Sequence, residues 1–555
     1  MPLIERKIFS EMNMQKKTII FVILLAIGLG LFVLFWFPNS TGARDLNMTY
    51  IFESDEPAQY THPMRMLTPG KTWNQTLYRF FAYQHYYYGF PYYFYSAVFV
   101  LLPLKLAAGL GNISLNFLFL RQFVSVLPMI AAMLLLVYLQ TGFQSYLKSI
   151  VLFLLLFSVP EVVTNSLWYH PEALVLLLIG LTFFFLVRDD LKFGRDFYLS
   201  AFFCGLTVAT KLVGLFFFLA IPYYLFLGWR QKKIDLRRAF IVAAQFVAIM
   251  VAIFILANPF LFWASERNFA WKTQTDLHNS LGGGFIVTYQ ADPLRWYNVA
   301  VQNFATPAFL LLATVSVAIG AFTGTRRLLN QLIIFWAAPF AIYISVALAI
   351  RASHFPMPIL LPVFSSLPAY FTFFTPPRPT GPWLTYFKTN WLRLAMLAVG
   401  LIVVAAQFSF SLSKDIPLYV STLNREKNNP SLQFYDELDA NYLSRITLDR
   451  QLIVFRDVEI YFPNSPRYDI HFKWGVSNYY TIQKVNPDLL VLSKQHLYDY
   501  TQENLQGRDP DFALTYEFYK DALNGTVNGF TLLYQNDFGI AYISTPLYQQ
   551  FFASR

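Results

Sequence analysis

The sequence predicts a polytopic α-helical membrane protein with about 11–13 crossings and a small extracytoplasmic α/β domain at its C-terminal end. Three observations carry this expectation. The 555 residues are 56% hydrophobic and only 13% charged, with a mean hydropathy of +0.42, whereas a soluble domain averages about a quarter charged. The apolar residues gather in runs of roughly 18 to 25, each long enough to cross a hydrocarbon core of about 30 Å. From about residue 413 the pattern changes: charges, Asn and Asp become frequent, and short strand-like runs replace the long apolar ones.

The first element is an apolar run from Thr18 to Phe37 behind a basic N-terminal stretch. It exceeds the apolar core of a secretory signal, about 7 to 15 residues. It therefore reads as a retained span with its N-terminus in the cytoplasm. Further runs lie near 92–110, 117–140, 148–163, 171–187, 197–210, 212–228, 238–262, 304–322, 329–350, 355–374 and 391–412. Counting every run as a crossing puts Arg230, Lys232, Lys233, Arg237 and Arg238 outside, against the positive-inside rule. Treating 92–110 as a re-entrant or interfacial segment repairs this. It leaves about eleven crossings, with roughly eighteen Lys and Arg inside against roughly nine in the longer outer loops. The C-terminus is then outside a cell membrane, whether plasma or inner.

This topology puts His62, His85, His170, His278 and His354 at the outer face, together with Glu53, Asp55, Glu56 and Glu172. The outer loops 38–91 and 263–303 are long and rich in Trp, Tyr and Phe. They are expected to form amphipathic helices lying on the membrane. The chain divides into a membrane part, 1–412, and an outer mixed α/β part, 413–555. In the latter, strands are expected at Gln451–Phe455, Val458–Phe462, Leu489–Leu492 and Thr531–Tyr534, with a hairpin into Phe538–Ser544. A helix is expected at Leu432–Ser444.

Composition excludes some functions. The net charge of +10 sits in short loops beside spans, where it serves orientation and headgroup attraction. No aromatic-interleaved basic groove points to nucleic acid. The single cysteine, Cys204, rules out a disulfide framework or a cysteine metal site within one chain.

The strongest local signal is Phe52-Glu53-Ser54-Asp55-Glu56-Pro57, just after the first span. Three carboxylates beside an apolar face are either a hydrated loop or a general base at the membrane surface. A carboxylate that takes the proton of an attacking hydroxyl contributes about 10²–10⁴ in rate. Lys211 and Arg351 stand at outer ends of spans, where they either snorkel to headgroups or neutralise a phosphate. Arg121 is similar. Glu172 follows Pro171, so it is either a helix-start acid or a second functional carboxylate. His85 and His278 either hydrogen-bond a substrate or, with a carboxylate, hold a divalent metal.

These segments, in order, resemble the GT-C glycosyltransferases that use a polyprenyl-phosphate sugar. The nearest likeness is to protein O-mannosyltransferases and aminoarabinose transferases, glycosyltransferase families 39 and 83. The resemblance rests on Asp55-Glu56 after the first span and on the turn Gln84-His85-Tyr86-Tyr87-Tyr88-Gly89-Phe90-Pro91. It continues through Leu120-Arg121 with Ser125 and Pro128, Tyr169-His170-Pro171-Glu172-Ala173-Leu174, and Ala209-Thr210-Lys211-Leu212-Val213-Gly214. It ends with His278 to Gly284 and Arg351-Ala352-Ser353-His354-Phe355-Pro356, covering residues 18–412. It departs at Tyr88-Gly89-Phe90-Pro91, where the family has Pro-Pro-Leu, and at Tyr169-His170, where the family has Arg.

The resemblance implies an inverting transfer from a polyprenyl-phosphate-linked sugar to an acceptor glycan, lipid or protein. Asp55 would be the catalytic base, Glu56 a positioning acid and Glu172 a second carboxylate. His85, Tyr88, Arg121, Lys211, His278, Arg351 and His354 would contact substrate. The competing classes are a lipid or solute transporter and a non-catalytic assembly factor. A transporter often shows internal repeats and ionisable residues at the membrane midplane, and the sequence shows neither.

Overall fold

The computed structural model describes residues 3–283, 293–350, 352–377, 383–474, 477–502 and 512–553. Among them, eight helices are long and apolar enough to cross a membrane. Hydrogen bonds between distant segments mark the two ends of the bundle. At one end, Asn39 Nδ2 donates to Ser166 O (3.0 Å), Ser125 Oγ to Trp168 O (2.6 Å), and Gly89 N–H to Thr210 O (2.9 Å). At the other end, Gln140 Nε2 donates to Asn330 Oδ1 (2.9 Å), Lys148 Nζ to Thr372 Oγ1 (2.9 Å), and Tyr224 OH to Asp189 Oδ2 (2.6 Å).

Between these ends the chain passes through Met14–Asn39, Ile113–Thr141, Tyr146–Phe157, Glu172–Asp189, Arg195–Thr210 and Leu212–Arg230. It continues through Leu236–Leu256, Pro307–Phe322, Arg327–Ala347, Met357–Phe374 and Thr385–Leu423. Thr41, just past the first helix, donates from Oγ1 to Thr422 O (2.9 Å) at the end of the last one, so the first helix's start and the C-terminal part lie at opposite ends of the bundle.

Phe90–Ala108 is also long and apolar enough to cross, but its contacts place it otherwise. Gly89 is tied to Thr210, Lys105 Nζ donates to Leu67 O (2.8 Å), and Ser114 Oγ donates to Ala43 O (2.9 Å). Both of its ends lie at the same end of the bundle, so the segment runs along that end. Two π-helical stretches, Tyr95–Leu101 and Arg121–Val126, precede Leu102-Pro103 and Leu127-Pro128. Proline has no N–H and its ring clashes with the carbonyl four residues back, so the turn before each one widens. Those wide turns carry Ser96, Arg121 and Ser125.

The long loops are ordered helices. Leu46–Phe52 is capped by Asp45, Asp55–Met66 follows, and Thr72 caps Trp73–Phe81. Ala264–Gly283 is held over the Tyr-rich turn because Glu266 accepts from the hydroxyls of both Tyr78 and Tyr86. Trp383–Leu423 is a 41-residue helix that runs on past the apolar stretch. Beyond its end, Arg44 Nε donates to Glu426 Oε2 (2.6 Å), while Thr41 Oγ1 donates to Thr422 O (2.9 Å). The segment after the first span thus clamps the far end of this helix.

The C-terminal part is a five-stranded sheet: β1 Leu452–Arg456, β2 Tyr468–His471, β3 Leu489–Ser493, β4 Phe530–Gln535 and β5 Gly539–Ser544, in the order β2-β1-β3-β5-β4. The first three are parallel; β5 is antiparallel to β3 and β4. Alternate residues face two cores, Val454, Leu489 and Val491 on one side and Phe455, Leu490 and Leu492 on the other. Such near-continuous apolar strands are expected of a sheet covered on both faces. The strand expected at Val458–Phe462 does not form. Buried Arg456 Nη1 donates to the carbonyls of Asp457 (3.2 Å), Val458 (2.8 Å) and Ile460 (2.7 Å), which bends this stretch around one guanidinium. The short edge strand β2 takes the place beside β1 instead.

Candidate active site

Asp55 and Glu56 open the helix Asp55–Met66, where the helix dipole favours anions. Their environments differ. Glu56 is fully buried against Arg121. Arg121 Nε donates to Glu56 Oε1 (2.7 Å) and Nη2 to Oε2, while Oε1 also accepts the Tyr169 N–H (2.7 Å). Arg121 Nη1 donates to the carbonyls of Asn39 (3.0 Å) and Thr41 (2.8 Å). Sequence reasoning puts Glu56 and Arg121 on substrate; here both are occupied by internal bonds. They join the end of the first span to the 166–171 loop, and Arg121 has no free fork for a phosphate.

Asp55 is exposed and accepts no hydrogen bond from a described residue. It stands among crowded protein atoms beside Glu56, and both raise its carboxyl above the usual aspartate range. Glu53 is pushed up to about 8, by burial first and then by Glu56 and Asp55. Near neutral pH a proton therefore stays on the neighbour of Asp55.

The Tyr-rich turn reaches the second group of acids because Gly89 lies flat on the end of the helix Arg195–Thr210. A Cβ at Gly89 would meet Ala209 O at 1.5 Å, so only glycine fits this close approach. Phe90 N–H donates to Asn258 Oδ1 (3.0 Å). Tyr88 OH is then 2.9 Å from His170 Nε2. The Tyr88 phenol stays protonated, through burial first and then the charges of Asp55, Glu172 and Glu53. Tyr88 thus stands within electrostatic reach of both acid groups. His85 Nδ1 lies 2.5 Å from Tyr93 OH, and its ring stacks on His62 at 4.5 Å. Burial lowers His85 to about 3 and His62 to about 4, so both are neutral.

Glu172, fully buried, begins the helix Glu172–Asp189 after Pro171. The Lys211 ammonium donates to its Oε1. His170 Nδ1 is 3.9 Å and His354 Nε2 3.7 Å from the same oxygen. His170 also stacks on Trp168, with centroids 4.1 Å apart and the rings within 7°. Burial, and then the Lys211 charge among its neighbours, holds both imidazoles far below the usual histidine range, so Lys211 is the cation of this group. Glu172 Oε2, His170 Nδ1 and Trp168 Nε1 are buried without a hydrogen-bond partner. Buried polar atoms are rarely left so, and three around one acid mark a place for a polar ligand.

The ligating atoms of His170, Glu172 and His354 lie within 4.8 Å of one another. Imidazole and carboxylate suit zinc, and these three side chains could hold a divalent ion where the ammonium now sits. The pair expected for a metal, His85 and His278, does not assemble. His278 is exposed on the helix Ala264–Gly283 and shares no hydrogen bond or ring contact with His85 among the described residues. Arg351 lies outside the described residues.

Sequence reasoning leaves three residues of the site unassigned. Trp168 and His170 lie in an irregular loop whose path depends on Glu56 and Ser125. Glu161, also buried, accepts at Oε1 from Asn165 Nδ2 (2.7 Å) and Ser353 Oγ (3.1 Å), fixing the turn that carries His354. Its only sequence signal is a carboxylate inside an apolar run. An apolar recess of about 200 Å³ is lined by Val208, Leu212, Leu215, Met250, Val251 and Phe254; Leu212 directly follows Lys211 in the chain.

The bundle of membrane helices beside a small sheet domain has the GT-C fold. Two solved structures carry it. ArnT from Cupriavidus metallidurans bound to undecaprenyl phosphate is 10% identical, with 94% of this chain and 98% of that chain covered at a TM-score of 0.50. The Archaeoglobus fulgidus oligosaccharyltransferase in the apo form is 13% identical, with 95% and 74% covered at a TM-score of 0.51. No family model and no curated protein matches the chain.

Proposed function

We propose that the protein is an inverting glycosyltransferase that moves a sugar from a polyprenyl-phosphate carrier to an acceptor hydroxyl. The supporting observation is that Tyr88 links the two groups: its ring lies 5.9 Å from the Lys211 ammonium, its hydroxyl 2.9 Å from His170 Nε2, and the Asp55 charge acts on it, while Leu212, next to the lysine in the chain, lines an apolar recess. The fold likeness agrees, since one of the two solved structures is bound to a prenyl phosphate. The acceptor O–H gives its proton to Asp55 as its oxygen attacks the anomeric carbon. The bond from that carbon to the phosphate oxygen breaks, the phosphate keeps the electron pair, and Lys211 neutralises it. One displacement inverts the anomeric centre. His170, His354 and Trp168, uncharged, hydrogen-bond the sugar; Tyr88 and His85 line the acceptor side. The prenyl chain lies along Val208, Leu212 and Leu215.

Residues 1–412 supply the membrane part of this enzyme, and 413–555 stand outside it. The test is transfer by the purified protein from a panel of polyprenyl-phosphate sugars. Leu215→Trp, which fills the recess, should raise the KM for the prenyl donor about tenfold, since a filled apolar pocket loses its ligand. An unchanged KM removes the recess from the donor site; lipid translocation without sugar transfer favours a transporter.

Sidedness is checked separately. The native cysteine, Cys204, is buried, so a cysteine at exposed Asn528 reports alone. It should react with an impermeant maleimide on intact cells. Labelling only after lysis would place the sheet domain in the cytoplasm.

A further inference from the structure

We infer that Glu172 is the resting partner of Lys211, and that the carrier's phosphate competes with it for the ammonium. The inference rests on the proposal that a prenyl phosphate binds beside Lys211. The two partners are unequally placed. The Glu172 side chain is 1% exposed and the Lys211 side chain 18%. The Lys211 ammonium lies over the rings of Phe355 (5.1 Å) and Tyr88 (5.9 Å), and the next residue, Leu212, lines the apolar recess. A phosphate arriving from outside meets the more exposed ammonium before the buried carboxylate.

Among the described residues, no Lys or Arg other than Lys211 pairs with Glu172. His170 Nδ1 and His354 Nε2 stand 3.9 Å and 3.7 Å from its Oε1, beyond hydrogen-bond distance, so the ammonium is its one close side-chain donor among the described residues. Removing one partner of a buried pair leaves the other charge uncompensated, which is strongly unfavourable. The carboxylate therefore resists losing the lysine, and that resistance opposes phosphate binding. The same competition favours release of the spent carrier, because the lysine has a place to return to. Glu172 is thus a positioning residue acting through Lys211. This predicts an effect opposite in sign to that of a direct ligand: its neutralisation should tighten phosphate binding.

The experiment measures binding of undecaprenyl monophosphate to the full chain in lipid nanodiscs, with sugar transfer followed in parallel. Glu172→Gln should bind about tenfold more tightly than wild type, a coupling of ordinary size between two ligands of one site, and should turn over more slowly at saturating donor. Lys211→Met should bind weakly, and the double variant should match Lys211→Met, because the effect of Glu172 runs through the lysine. Should Glu172→Gln fail to fold, Glu172→Asp, whose shorter side chain loosens the contact, should shift binding in the same direction. Unchanged or weaker binding by the Glu172 variant, with wild type binding and transferring normally, overturns the inference alone. Absence of binding and transfer by wild type overturns the glycosyltransferase reading with it.

Discussion

Asp55→Asn is expected to lower sugar transfer about 10²–10⁴-fold, the usual contribution of a general base, while leaving membrane insertion and thermal melting unchanged. Asp55 is exposed and holds no hydrogen bond from a described residue, so its loss removes chemistry and not packing. The amide keeps the size of the side chain and cannot accept the acceptor's proton. The wild-type rate has its own signature. The carboxyl is raised by its surroundings and by Glu56, so the basic form appears above the usual aspartate range. Transfer should therefore rise with pH through an apparent pKa higher than that of a free aspartate, and the residual activity of Asp55→Asn should lack that limb. Sugar incorporation at the wild-type rate by this variant would remove Asp55 from the reaction.

The largest effect on stability belongs to the neighbouring residue. Glu56→Ala leaves the Arg121 guanidinium buried without its carboxylate and the Tyr169 N–H without its acceptor. Breaking a buried pair from one side costs about 3–5 kcal/mol, which should appear as a marked fall in melting temperature in detergent. A double variant, Glu56→Leu with Arg121→Met, should recover much of that loss, because apolar side chains of similar volume need no partner. If the single variant melts like wild type, the Glu56–Arg121 pair does not hold the outer loops together. Adjacent acids, Asp55 and Glu56, thus separate by assay: one changes rate, the other stability.

That separation is what the linear order of residues could not supply. The apolar spans are legible because they follow from hydropathy, and so is the gathering of Glu56, Glu172 and Lys211 at one end of the bundle, because each stands at the end of an apolar run. So are β1, β3, β4 and β5, each a compact apolar run. Glu56 and Arg121 look as functional as Asp55 in the sequence, because nothing local shows that residues 65 positions apart meet in a dry interior. The widened turns before Pro103 and Pro128 read simply as helix. His170 is visible as a histidine, but its role follows from three dimensions: stacking on Trp168, an orphaned nitrogen and a lysine brought from another helix. His85 and His278, weighed as metal ligands or as hydrogen-bonding groups, do not meet among the described residues, whereas His170, Glu172 and His354 do, since a shared side does not imply contact.

The helix Trp383–Leu423 carries a further consequence. At about 1.5 Å per residue its 41 residues measure about 60 Å, roughly twice the thickness of the hydrocarbon layer. Its far end is fastened to the chain just past the first span through Thr41, Arg44 and Glu426. The sheet domain is also seated directly on the helix Leu46–Phe52: Tyr461 OH donates to Asp45 Oδ2 (2.9 Å), Arg456 Nη2 to Asn47 Oδ1 (3.2 Å), and Met48 shares a core with Leu432 and Tyr461, so it is braced at two points and not tethered.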